Sequence, residues 1–319
     1  VPLVIAFTPD YFIPAATCLY SIITSMQAEG ELHVICLLSE ELPERLKLKI
    51  QLIGEGRTCY SFVNLQGKLQ HIYIDQKYTE AASYRLLLPD LLPEYKKVIY
   101  IDCDIIVRND LVQLYHSIDL GMNYLAAVFE ASMDFQLDHL KTIGCNPNEY
   151  INSGFLIMNL ELMRKDNMVE KFIEASKVDY LEFPDQDVLN QLCKDRILAL
   201  PPYYNSIRTF YLPQYKKFFL QKYTEQDWLE VHRHGTVHYT GAKAWNQFTV
   251  QFQLWWQYYE QLPEIIKKEW QVDKKIYFLS KLYRTSCGTF VVDKLQALYR
   301  KMKLSLIHIS EPTRPLYIS

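Results

Sequence analysis

Short apolar runs alternate with helically spaced apolar positions along most of the chain. Val1 to Phe7 is the first such run, followed by Thr8-Pro9-Asp10-Tyr11. A helical pattern begins near Pro14, with Ala15, Cys18, Leu19, Ile22, Ile23 and Met26 at its spacing. Leu32 to Leu38 reads as a second strand, and Pro43 to Ile53 as a helix with proline in its first turn. A short strand at His71 to Ile74, a helix at Ser83 to Leu92 and a strand at Val98 to Ile101 follow. Tyr124 to Phe129 and Phe155 to Leu160 are further strands, and Glu161 to Val178 is a long scaffold helix. Strands alternating with helices across short loops predict an α/β fold, its largely parallel sheet covered on both faces. Ligands of such sheets bind beyond the carboxyl ends of strands. The loops of interest therefore follow Phe7, Ile101 and a short strand near Val237.

The 319 residues suffice for one large domain with an appendage, or for two small ones. After Pro263 the pattern turns helical and basic, so the division expected is a catalytic domain over 1–262 and a helical extension over 263–303. Between Asp273 and Lys303 eight Lys/Arg stand against two Asp, a local +6 within a total of −3, which leaves the rest at about −9. An acidic body excludes bulk nucleic-acid binding, which needs a basic footprint. The basic end interleaves Lys274, Lys275, Lys281, Arg284, Arg300 and Lys301 with aromatic and leucine side chains. It suits either contact with an anionic membrane surface or a solvated helical cap. The seven cysteines are scattered without a C-x-x-C pair, which fits a reducing compartment and no structural zinc. No apolar stretch approaches the length of a membrane span, and the chain opens into a strand-like run rather than a signal peptide. A soluble, cytoplasmic protein is expected, peripheral on a membrane at most. Leu304 to Arg314 matches the conceptual translation of a transposon-type sequencing adapter, so 304–319 is set aside as a non-native tail.

Chemistry concentrates at Val98-Ile99-Tyr100-Ile101-Asp102-Cys103-Asp104. Two carboxylates two apart at a strand end face the same side if the chain stays extended. Parallel carboxylates repel unless a cation lies between them, and a divalent ion there leaves room for phosphate oxygens. An Asp-x-Asp triplet arises about once by chance in a chain this long. A second one exists, Asp185-Gln186-Asp187, and as it precedes a helical run its acids can simply cap a helix N-terminus. The first interrupts an apolar run, so capping does not explain it. A third ligand is suggested by His238 in Val237-His238-Tyr239-Thr240-Gly241-Ala242-Lys243-Ala244-Trp245. Imidazole can complete a manganese shell, Gly241 lets backbone approach phosphate, and Lys243 can neutralise diphosphate charge. His232 and His234 compete for the histidine role.

Taken in order, Asp10-Tyr11, Tyr84-Arg85-Leu86, Asp102-Cys103-Asp104, Asn152-Ser153-Gly154-Phe155-Leu156, Asp185-Gln186-Asp187-Val188-Leu189-Asn190 and His238-Tyr239-x-Gly-x-Lys resemble glycosyltransferase family 8 across roughly residues 3 to 260. The resemblance implies a GT-A fold, a UDP-hexose donor with Mn²⁺ (or Mg²⁺), a glycan or glycolipid acceptor and retention of anomeric configuration. It would make Asp102, Asp104 and His238 the metal ligands. Tyr11 would stack on uracil beside Asp10, Arg85 would contact the donor, and Asn152 and Ser153 would line the sugar pocket. Asp185 would bind sugar hydroxyls, Gln186 would sit at the reacting face of the anomeric carbon, and Gly241 and Lys243 would hold the diphosphate. Thr8 and Cys103 complete the implied donor-binding set, although many relatives carry an acid where Thr8 stands. The closing Lys243-Ala244-Trp245 also departs from the usual Lys-Pro-Trp. Two other readings compete: a haloacid-dehalogenase-like phosphohydrolase, which also places Asp-x-Asp after a strand, and a non-catalytic UDP-sugar-binding relative.

Overall fold

The structure is a computed structural model that describes residues 1–67, 83–285, 288–291 and 294. Among the described residues ten strands form: β1 (Pro2–Phe7), β2 (Leu32–Leu38), β3 (Thr58–Asn64), β4 (Lys97–Asp102), β5 (Ile105–Ile106), β6 (Leu125–Phe129), β7 (Ile151–Asn159), β8 (Ile197–Ala199), β9 (Ser206–Ile207) and β10 (Val237–His238). Seven form one sheet in the order β3-β2-β1-β4-β7-β6-β8. Every pairing in it is parallel except those of β7, which runs antiparallel to both β4 and β6. The other three form a small sheet, β5-β10-β9. The expected mixed, mostly parallel sheet with helices on both faces is therefore what the chain builds.

Both faces are apolar because successive strand side chains point opposite ways. Leu3, Ile5 and Phe7 of β1 pack with the helix Phe12–Ser25 on one face, while Val4 and Ala6 join Tyr84, Leu86, Val188 and Leu189 on the other. Each large aliphatic side chain so buried contributes about 1.5–3 kcal/mol, enough for two such cores to make the strand ends a rigid platform. The chain leaves β1 toward β2 and β3 and then returns to its other side as β4. The order thus reverses between β1 and β4, the crevice where open α/β sheets bind ligands.

Some elements differ from the sequence expectation. The strand expected over Phe155 to Leu160 is β7, which starts four residues earlier and takes Asn152, Ser153 and Gly154 into the sheet. Because β7 is antiparallel, with Phe155 opposite Ile101, these residues extend past the carboxyl end of β4. The Ser83 to Leu92 helix is a 3₁₀ turn, Tyr84–Leu87, followed by one α-turn, Leu88–Leu91. Pro89 has no N–H to give Arg85, so a continuous helix cannot run through. The long helix over Glu161 to Val178 is two, Leu160–Lys165 and Met168–Ala175, separated where Asn167 adopts the left-handed φ of 51°. The edge strand β3 was not expected, since Tyr60 and Phe62 alternate with Cys59 and Ser61 and form no continuous apolar run. The strand expected at His71 to Ile74 lies outside the described residues.

Beyond 262 the chain stays in contact with the main body. Ile266 is fully buried in the same core, and Glu269 pairs with Arg45 and Lys49. The helix Lys274–Tyr283 sets Tyr277 against Trp256 of the helix Phe252–Gln261. Among the described residues no helix is long and apolar enough to cross a membrane.

Candidate active site

Asp102 ends β4 opposite Ala6 of β1, at the carboxyl edge beside the switch point. The backbone does not stay extended after it. It turns at Cys103–Asp104 and leaves as β5 in the small sheet. β10 pairs with β5 so that His238 lies opposite Ile105, and the Tyr239 N–H donates to the Asp104 carbonyl at 3.1 Å. This register brings an imidazole from far downstream onto the two acids. One ligand atom from each of Asp102, Asp104 and His238 lies within 4.8 Å of the others.

The orientation of the three groups is defined as well as their proximity. Nε2 of His238 is 3.3 Å from Oδ1 of Asp104 and 3.9 Å from Oδ2 of Asp102. The opposite oxygens are held elsewhere. Oδ1 of Asp102 accepts from Arg85 Nη2 at 2.9 Å and from the Tyr100 hydroxyl at 3.0 Å, and Oδ2 of Asp104 accepts from Lys243 Nζ. Burial alone would raise the Asp104 carboxyl, but Lys243 and then His238 outweigh it and hold it well below the usual carboxylate range. Burial lowers the Lys243 ammonium, but the charge and hydrogen bond of Asp104, with Tyr11 and Cys103, together raise it above its ordinary value. Two hard oxygens and one imidazole nitrogen on one side of a point are a donor set for Mn²⁺, and Mg²⁺ can share it. The residues fit a divalent ion in a second respect. A Cβ on Gly154 would lie 2.3 Å from Cε1 of His238 and 2.7 Å from Oδ2 of Asp102, so only glycine lets the imidazole and the acid stand where they do.

Arg85 lies beneath this cluster, only 3 % exposed. It binds Oδ1 of Asp102, Oδ2 of Asp185 through Nε at 3.1 Å, and both the carbonyl and the hydroxyl of Ser153. Arg85 thus joins the first Asp-x-Asp to the second. The two acids of the second motif divide the work. Phe183 is the N-cap of the helix Pro184–Cys193 and no side chain caps it; Asp187, inside the helix, instead reaches back, its Oδ2 accepting from the Glu182 and Phe183 N–H groups ahead of it. Asp185, on the same first turn, faces Arg85 and the Ser153 hydroxyl, and burial raises its carboxyl despite Arg85. Gln186 turns inward: its Oε1 accepts from the Ser153 N–H at 2.9 Å and from Asn152 Nδ2 at 3.1 Å, while Nε2 donates to the Tyr150 hydroxyl at 3.0 Å.

The remaining expected donor contacts surround the mouth. Thr8 follows β1 in an extended conformation and leads into the short turn Pro9–Tyr11, where Asp10 is exposed. Tyr11 meets Trp245 edge-on, with ring centres 5.9 Å apart, so the loops after β1 and β10 close on each other. Burial raises the Tyr11 phenol and Lys243 opposes it. Gly241 has φ +74°, a conformation that favours glycine. Cys103 is buried in the turn between the two acids, and burial followed by Asp104 pushes its thiol well above the ordinary range. The rival histidines lie outside the cluster: His232 bonds to the Trp228 carbonyl, and His234 to Glu230 and Asn109.

Other residues belong to the site without having been singled out in the sequence. Glu130, just beyond β6, accepts from Asn152 and Gln136, and burial raises its carboxyl. Tyr100, Tyr150 and Asn205 bond directly to Asp102, Gln186 and His238. None of these four carried a readable signal of its own, whereas Gly154 did, since a lone glycine inside an apolar strand marks close approach.

Solved structures share this architecture. The galactosyltransferase LgtC in complex with donor and acceptor sugar analogues superposes with a TM-score of 0.68 at 22 % identity, covering 85 % of this chain and 100 % of that one. The bifunctional glycosyltransferase WbbM gives 0.70 at 22 %, over 84 % of this chain and 51 % of that one. The fold is thus GT-A, a doubly wound α/β architecture with its site at the carboxyl ends of the strands. The family model described as glycosyl transferase family 8 matches residues 2–249, and the chain belongs to that family. Among curated relatives, general stress protein A of Bacillus subtilis (strain 168) is 30 % identical over 193 residues, 58 % of this chain and 66 % of that protein. Lipopolysaccharide 1,2-glucosyltransferase of Escherichia coli (strain K12) is 30 % identical over 192 residues, 57 % of this chain and 54 % of that protein. The alignments thus span about half to two thirds of the length of these relatives.

Proposed function

We propose that the chain is a retaining glycosyltransferase that moves a hexose, galactose or glucose, from a UDP-sugar onto a hydroxyl of a glycan or lipopolysaccharide-type acceptor. The observation that carries this reading is the convergence of Asp102, Asp104 and His238, with one ligand atom of each turned toward the others and the second oxygen of each acid tied down. The galactosyltransferase and lipopolysaccharide glucosyltransferase relatives supply the candidate sugars and acceptor class.

The chemical problem is the negative charge that builds on UDP as the sugar–phosphate bond breaks. Asp102, Asp104 and His238 would hold a divalent ion, which when bound would supply Lewis-acid stabilisation of that charge. Lys243 adds a cation from the same loop, and Gly241 allows backbone to approach a phosphate. Tyr11 and Asp10 frame the nucleotide, with Thr8 at the entry and Cys103 lining the floor. Arg85 acts by holding Asp102 and Asp185 in register, and Asp185 with Asn152 and Ser153 faces the sugar. Gln186 is a poor covalent nucleophile, because its amide oxygen already accepts from Ser153 and Asn152. Front-face substitution fits better. The acceptor oxygen bonds to the anomeric carbon as the carbon–phosphate-oxygen bond breaks, and a phosphate oxygen takes the acceptor's proton. The helical extension touches the anionic membrane surface on the cytoplasmic side, where a glycolipid acceptor would lie.

A panel of UDP-sugars assayed for UDP release with Mn²⁺ tests the proposal. UDP release from one hexose donor, abolished by chelator and reduced at least about a hundredfold by Asp104→Asn, is the expected result. Failure to turn over any UDP-sugar with Mn²⁺ would refute it, as would near-wild-type activity of Asp104→Asn.

A further inference from the structure

The amide side chains behind His238 form a chain whose polarity can be read without ambiguity. Amide oxygen and nitrogen have the same shape, so their assignment needs partners whose role is not in doubt. Two backbone N–H groups provide them. The Gly154 N–H points at one terminal atom of Asn152 at 3.1 Å, and the Ser153 N–H points at one terminal atom of Gln186 at 2.9 Å. A backbone N–H only donates, so both atoms are oxygens. The other terminal atom of Asn152 is then its nitrogen, and it lies 3.1 Å from the Gln186 oxygen, donor to acceptor. The two anchors agree.

Asn205 reads its orientation from this pair. It is fully buried, one residue before β9, and one end of its side chain is 2.9 Å from Oδ1 of Asn152. That end must be Nδ2, which leaves Oδ1 facing Nδ1 of His238 at 3.0 Å. An amide oxygen cannot donate, so the contact is a hydrogen bond only if Nδ1 carries the proton. With that proton on Nδ1, Nε2, which faces Asp102 and Asp104, is the nitrogen left to offer a lone pair when a cation stands between the ring and the two acids.

We infer that Asn205 is a positioning residue that locks His238 in the Nδ1–H tautomer and so presents the Nε2 lone pair to a divalent cation. The inference rests on the metal-dependent reading above, but the tautomer itself is measurable without metal. Histidine in water favours the opposite tautomer, so the hydrogen bond has a preference to overcome. Second-layer partners of metal-binding histidines typically change metal affinity by about 10–100-fold.

Long-range ¹H–¹⁵N correlation of ¹⁵N-histidine-labelled, metal-free protein at pH 8 reads the tautomer directly, with His238 assigned by its loss in His238→Gln. A protonated Nδ1 is expected in the wild type, whether or not Nε2 also carries a proton beside the two carboxylates. Asn205→Leu should shift the proton toward Nε2 and weaken Mn²⁺ binding, followed by electron paramagnetic resonance, by about 10–100-fold. Asn205→Asp, which keeps an acceptor oxygen at Nδ1, should keep Nδ1–H. A wild-type Nδ1 without a proton would overturn the inference even if Asn205→Leu did not fold. So would Asn205→Leu with Nδ1–H and wild-type Mn²⁺ affinity. Should the tautomer behave as expected while the wild type binds no Mn²⁺, the assignment of Asn205 stands and the metal-dependent reading falls.

Discussion

At the residue scale the site depends on who occupies the second oxygen of each acid. Arg85 and Tyr100 hold one side of Asp102, Lys243 holds one side of Asp104, and the oxygens left over face His238. That division makes Gly154 a sensitive position. Gly154→Ala should weaken Mn²⁺ binding by at least about tenfold through a displaced His238 or Asp102, with an overpacking cost of about 1–3 kcal/mol in thermal or chemical denaturation. Unchanged Mn²⁺ affinity would show that the close approach is not needed. Asp102 and Asp104 were legible in the sequence because two acids that interrupt an apolar run neither cap a helix nor lie on a solvated face, whereas His238 was only suggested by the glycine and lysine that follow it and was singled out from His232 and His234 by the family resemblance. Asn205, Tyr150 and Glu130 were not, since each acts on a partner remote in sequence and leaves no spacing to detect. Arg85 was legible as a site residue, but nothing in Tyr84-Arg85-Leu86 shows that it joins the two Asp-x-Asp motifs from beneath.

Among the elements, the decisive one is among the smallest. β5 and β10 have two residues each, yet their register sets His238 beside Asp104. Strands this short have no periodicity, so only the motif around His238 hinted at β10, and the turn at Cys103–Asp104 could not be foreseen from a run that continues apolar on both sides. At the helix Pro184–Cys193 the expected side-chain capping by the second Asp-x-Asp is not what forms: Asp187 reaches back to the chain ahead of the helix and Asp185 turns to Arg85. Asp187 holds two N–H groups before the helix and accepts from the Tyr150 hydroxyl and His139. Asp187→Ala would leave the buried Tyr150 hydroxyl without its acceptor, and His139 and two partly buried N–H groups without theirs. A loss of about 3 kcal/mol is expected in denaturant unfolding, along with weaker donor binding, because Tyr150 and Gln186 would lose their anchor. A stability change below about 0.5 kcal/mol would contradict the assigned role.

On the scale of the whole molecule, the sheet order places its reversal between β1 and β4, and the charge is sorted between an acidic body and a basic end. The strand–helix alternation made the doubly wound architecture legible. The antiparallel β7, which carries Asn152, Ser153 and Gly154 to the site, was not legible, because strand direction is a tertiary property. At the basic end Phe278 and Leu282 are exposed on the same helix as Lys274, Lys275 and Lys281. Sedimentation with anionic vesicles should show binding that falls as salt rises, as expected for screened charge. Salt-independent binding, or none, would remove the electrostatic contact. The central claim meets its most direct test in anomalous diffraction from crystals grown with Mn²⁺ and UDP. The expected map has one manganese peak bonded to Nε2 of His238 and to a carboxylate oxygen of Asp102 and of Asp104, with UDP phosphate oxygens completing the shell. A peak elsewhere, or no peak at Mn²⁺ concentrations that support turnover, would contradict it.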